Sequence, residues 1–163
     1  MIAMSRAGRE NPAKRYLERI KYFDVQINNK IDEREAVKSM VMRVTASMSL
    51  APGGGGGGDR IGAGVGKLID LERDINRAID RFVDLRRTVT DMIDRLDDPD
   101  EIAVLHKKYI GVKNDEDGVI HYLTLDEIAE ELHMSQRNVC YVHGRALQKV
   151  ARMMEEKKDA QTD

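Results

Sequence analysis

The chain has 163 residues, a formal net charge of −2 and a single cysteine, Cys140. That length suits one domain or two small ones, and the charge leaves no global basic field, so any contact with nucleic acid must be local. The lone cysteine excludes an internal disulfide and suits a reducing compartment. The sequence also lacks both a signal-peptide core and an apolar run of about 18 residues that would span a membrane. A cytoplasmic protein without membrane association is therefore expected.

With no Trp, two Phe and five Tyr against nine Met, the core must come from aliphatic helix packing. Residues 1–10 are small and polar and read as a flexible terminus. Asn11-Pro12 then opens a helix: Asn caps, and Pro loses nothing by lacking an amide proton in the first turn. Ala13, Tyr16, Ile20, Phe23, Ile27, Lys30, Arg34, Val37, Val41, Val44 and Met48 follow three and four apart, a coiled-coil-like seam interrupted only by Lys30 and Arg34. Those two long stems can pack while their charges reach water.

Pro52 and the run Gly53–Gly58 end that helix, and a Pro/Gly-rich hairpin tip is read over 51–66. Gly62, Gly64 and Gly66 before Lys67 invite a phosphate-loop reading, but Ile61 stands where the loop's first Gly belongs. Leu68, moreover, replaces the Ser or Thr that such a loop places after its Lys. A second helix follows, with Leu68, Leu71, Ile75, Ala78, Phe82, Leu85, Val89, Met92 and Leu96 as an unbroken seam. Beside it runs a second stripe of Val65, Ile69, Ile79, Val83 and Ile93, wider than a two-helix contact needs. Two helices of about 35 residues, each about 50 Å long, joined by a flexible connector imply an antiparallel hairpin over 11–97. The extra stripe is left either to a second copy of the chain, as in a four-helix bundle, or to the C-terminal domain of the same chain.

Asp98-Pro99 repeats the capping start and predicts a helix to about Ile110. Val112 and Val119-Ile120 are placed to pair as a short β-hairpin about Asp117-Gly118. The acidic segment between them is not a calcium loop, because Lys113 and Thr124 would hold its first and last ligand positions. Leu123 to Val150 then reads as two helices with a short turn. Thr124 and Glu127 form a capping box with Leu123 and Ile128 as its hydrophobic staple, and Ser135 caps the second helix with Met134 and Val139 flanking it. His133 sits at the turn and tolerates the positive φ required there. Ile128, Leu132, Met134, Val139 and Val142 form the contact face.

The second helix presents Gln136, Arg137, Asn138, Cys140, Tyr141, His143, Gly144 and Arg145 outward. From Ser135 to Arg152 it has four basic residues and no acidic one. The first helix carries Asp126, Glu127, Glu130 and Glu131, so it should face away from phosphate. Gln, Arg and Asn at the start of such a helix suit base edges in the major groove. We therefore assign DNA binding to Gln136, Arg137 and Asn138 at the bases, with Tyr141, Arg145 and Lys149 along the backbone or groove edge. A helical pair that packs only on protein is the bland alternative. His133, Cys140 and His143 lack a fourth ligand, so no metal site is expected. Residues 153–163 read as a flexible tail, and neither a cofactor site nor a catalytic pairing is read.

The segment from Leu123 to Val150, with Asp98–Tyr109 before it, resembles the promoter-reading C-terminal region of sigma-70-type factors. Leu105 and Tyr109 match that family's usual Leu and Tyr. Gln136, Arg137, Cys140 and Tyr141 occupy slots where the family usually has Arg, Glu, Arg and Gln. A long hairpin with a Pro/Gly-rich tip ahead of this region is similar to small phage and prophage proteins regarded as sigma-like regulators. The resemblance implies an all-α fold with a sigma-like helix-turn-helix domain over 98–152. It also implies a non-enzymatic transcription regulator that binds double-stranded DNA and uses its hairpin either to form a homo-oligomer, a dimer being favoured, or to engage RNA polymerase. Two alternatives stay open: a DNA-packaging oligomer of the small-terminase type, and an assembly module that binds no DNA.

Overall fold

A computed structural model describes residues 11–50, 57–114, 116 and 120–160. The fold is all-α with one short β-hairpin. Helix α1 spans Pro12–Ser49 and α2 spans Gly57–Ile93, and the two pack against each other. After them come α3 (Pro99–Leu105), a π-helical turn (His106–Ile110), β1 (Val112–Asn114), β2 (Ile120–Tyr122), α4 (Leu125–Glu131) and α5 (Gln136–Asp159). Strands β1 and β2 are antiparallel, with Val112 opposite Tyr122. No helix among the described residues is long and apolar enough to cross a membrane.

The chain forms two compact units, residues 22–84 and residues 1–21 with 85–163. This revises the boundary read from sequence, which gave the whole of 11–97 to the hairpin. The reason lies in burial at the helix ends: Ala13, Leu17, Ile20, Val89 and Ile93 are all closed off from solvent. Leu17 lies outside the predicted seam and completes this face. The first turns of α1 and the last turns of α2 thus belong to the C-terminal unit.

In the 22–84 unit, Ile27, Val37, Leu71 and Ile75 form the buried line, flanked by half-buried Phe23, Val41, Leu68 and Phe82. Lys30 behaves as its long stem predicts: it is half-buried, and its Nζ lies 3.7 Å from Asp74 Oδ2. Lys67 Nζ reaches Glu33 Oε1 at 3.2 Å. Both bridges are largely open to solvent and add little to stability. The tip is shorter than predicted, because α2 already begins at Gly57 and residues 57–66 are helical. A Cβ placed on Gly64 would come within 2.5 Å of Val41 Cγ2. Gly64 therefore lets the helices approach closely, and the tertiary contact outweighs the poor helix propensity of glycine. The rest of the predicted tip, residues 51–56, lies outside the described residues.

In the C-terminal unit, Asp98 caps α3, accepting from the amides of Asp100 at 2.9 Å and Glu101 at 3.4 Å. The predicted helix to Ile110 holds, but its last turn is π-helical and buries Tyr109 and Ile110. Helix α5 continues to Asp159, so most of the tail read as flexible is helical.

Candidate nucleic-acid interface

The pair α4–α5 is set by its caps. Thr124 Oγ1 accepts from the Glu127 amide at 3.3 Å, and Glu127 Oε2 accepts from the Thr124 amide at 2.8 Å. The reciprocal capping box is therefore complete. His121 Nε2 meets the other Glu127 oxygen at 3.0 Å. The Thr124 backbone N–H, then His121 and the Thr124 hydroxyl, hold the Glu127 carboxyl down at about 2.

The turn closes as a Schellman motif: the Met134 amide donates to Ala129 O at 2.9 Å and the His133 amide to Glu130 O at 3.3 Å. His133 takes φ 53° at the position where glycine is usual. Ser135 caps α5 by accepting from the Asn138 amide at 3.2 Å. Unlike the first cap it is not reciprocal, because Asn138 replaces the Glu or Gln of a capping box. Val104, Leu123, Ile128, Ala129, Val139 and Val142 form one buried cluster, with Leu125, Leu132 and Met134 packed on it.

This packing leaves the first turns of α5 outward. Gln136, Arg137, Asn138, Cys140 and Tyr141 are exposed. The Gln136 side-chain amide donates to Asp126 of α4. An acidic residue of α4 therefore stands beside the start of α5, where the sequence placed that whole helix away from the reading face.

The other outward residues behave differently. His143 is turned inward: its Nε2 and Tyr109 Oη are 2.9 Å apart, and the two rings stack with centroids 5.8 Å apart. Burial, then the nearby Lys108 and Lys14 charges, push His143 down to about 4. Burial likewise raises the Tyr109 hydroxyl. Arg145 and Lys149, assigned to the groove edge, are each bound to carboxylates of the fold. Arg145 pairs with Asp98 and Glu101, and Lys149 Nζ donates to Glu101 Oε2 at 2.8 Å. The bond to Glu101 comes first in keeping the Arg145 guanidinium above its ordinary pKa. Arg145 also lies over the Tyr141 ring at 5.7 Å. Among the described residues, no three His, Cys, Asp or Glu side chains come together in a way that could hold a metal ion.

Comparison with known protein families, with curated proteins and with solved structures gives no match to this chain.

Of the six assigned residues, then, Arg137, Asn138 and Tyr141 form an exposed face. Gln136 sits at its edge, tied to Asp126. Arg145 and Lys149 are drawn into the fold by Glu101, whose side chain is 0% exposed. Sequence reading missed Glu101. Three residues after the capping Asp98, it occupies the place of a capping-box Glu, so its position predicts a local partner. Its actual cations lie 44 and 48 residues away.

Proposed function

We propose that the protein is a sequence-specific DNA-binding transcription regulator of sigma-like type, of phage or prophage origin, and not an enzyme. The reading rests on one observation: a capped helix-turn-helix pair whose second helix exposes Arg137, Asn138 and Tyr141 at its N-terminal end. Base-reading helices present this region to the major groove, and Arg and Asn are suited to guanine and adenine edges. Relative to the six-residue assignment the reader is narrower, since Arg145 and Lys149 already have carboxylate partners. The ring of Tyr141 offers packing at a backbone or thymine methyl. The long hairpin serves assembly or contact with RNA polymerase, and the site of action is the cytoplasm.

Selection of bound fragments from random duplex DNA, followed by titration of the winners and scrambled controls at several salt concentrations, tests the reading. Enrichment of a defined motif with salt-dependent affinity is expected. Absence of binding even at low salt would leave an assembly module.

A further inference from the structure

Of the second apolar stripe of α2, Ile93 is buried and the other four residues remain exposed. Val65, Ile69, Ile79 and Val83 keep between 39% and 47% of their surface in solvent. Exposed Glu72 and Asn76 fall between them, so the row Val65, Ile69, Glu72, Asn76, Ile79, Val83 runs 4-3-4-3-4, the spacing of a coiled-coil seam. The row is a palindrome in spacing, and in residue type at its apolar positions. Reversed about Asp74 it superimposes Val65 on Val83, Ile69 on Ile79 and Glu72 on Asn76.

Such a row is self-complementary across a two-fold axis, where residue i of one copy meets j of the other while j meets i. We propose that this face is the surface on which a second copy of the chain docks, with the two α2 helices antiparallel and crossing at Asp74. Val65 then meets Val83 of the second copy, Ile69 meets Ile79, and Glu72 accepts from the Asn76 amide, each contact made twice. The same row argues against the parallel arrangement, which would set Glu72 against Glu72 in an apolar seam. A heterologous protein partner would have no need of a palindrome. The surface belongs to the hairpin, so it stands whether or not α5 binds DNA.

Charge exchange within the full-length protein tests it. Both polar residues are exposed, so their substitution leaves the fold intact, with circular dichroism as the check. Asn76→Glu alone places four carboxylates at the crossing, and sedimentation should show the dimer lost at tens of micromolar. The double exchange Glu72→Asn with Asn76→Glu restores the palindrome and should restore the dimer. Cross-linking fixes the direction. In a Cys140→Ser background, Ile69→Cys with Ile79→Cys should oxidise to a covalent dimer, while each single variant stays monomeric on a denaturing gel. Self-linking of the single variants would overturn the antiparallel register. A wild-type chain that sediments as a monomer, or a dimer indifferent to Asn76→Glu, would overturn the surface itself.

Discussion

Lys149 donates to Glu101 across 48 residues of sequence, and the receiving carboxylate is fully buried. Arg145 binds the other oxygen of the same group and also reaches Asp98, the cap of α3. The pairing fastens the middle of α5 to the start of α3. The same two cations had been assigned to DNA on residue type and helical position alone.

Loss of these cations should therefore appear first in stability. Arg145→Ala strips two carboxylates, one of them buried, of a charged partner. It should destabilise the fold more than Lys149→Ala, which leaves Arg145 on Glu101 and should cost about 1–2 kcal/mol. Urea melts of the two variants check the order. Equal and negligible effects would mean that Glu101 finds water instead.

The pH profile should show a separate feature from His143. Its folded pKa, about 4, lies below the ordinary 6.5, so the fold favours the neutral ring. Its contribution is complete above pH 6.5 and is lost as pH falls from about 6.5 to 4, amounting to about 2–3 kcal/mol. Glu127, also depressed, contributes above its ordinary 4.5 and is lost only as pH falls from there to about 2. Urea melts from about pH 8 to 2 should show both declines, and His143→Gln should flatten the first without removing the more acidic one.

The glycines of α2 should divide by sign. Gly62 and Gly66 are helical with open space where a Cβ would stand, so alanine at either should stabilise by about 0.5–1 kcal/mol. At Gly64 the new methyl meets Val41, and overpacking of about 1–3 kcal/mol should cancel or reverse the gain. Thermal melts of the three single variants settle the comparison. A uniform gain would show that the helices do not approach closely there.

How far the sequence foretold these features depends on the range of the interaction. The caps at Asn11, Asp98, Thr124 and Ser135 and the positive φ at His133 stand as read, because each is decided within a few residues. Strands β1 and β2 do pair, but Val112 faces Tyr122 and Ile120 faces Asn114, and Asp117, Gly118 and Val119 of the predicted hairpin lie outside the described residues. The two long helices followed from apolar spacing. The start of α2 did not, since a glycine run looks the same to local propensity whether or not a neighbouring helix needs its missing side chains. The partners of His143, Arg145 and Lys149 were not foreseen for the related reason that Tyr109, Asp98 and Glu101 lie 34 to 48 residues before them. Helical periodicity gives the face of a residue, not what the fold brings to that face.

The DNA-binding reading makes its sharpest claim on Arg137 and Lys149 together. Arg137 is exposed at the second position of α5, so Arg137→Ala should leave stability unchanged. On the selected duplex it should cost about 1–3 kcal/mol of affinity and relax preference at one base pair. Lys149 carries the same charge but spends it on Glu101. A cation already matched within the protein neutralises little phosphate and releases few counterions, so Lys149→Ala should leave the salt slope nearly unchanged. Had it bound phosphate, its loss would lower that slope by about one. Fluorescence anisotropy at four or five salt concentrations, with both variants confirmed as folded, separates these outcomes. A base-specific loss at Arg137 with an unaltered slope at Lys149 supports a reader confined to the first turns of α5. A lowered slope at Lys149 would mean that DNA draws this lysine away from Glu101. If Arg137→Ala binds every duplex as wild type does, the exposed face of α5 is not a reader of bases.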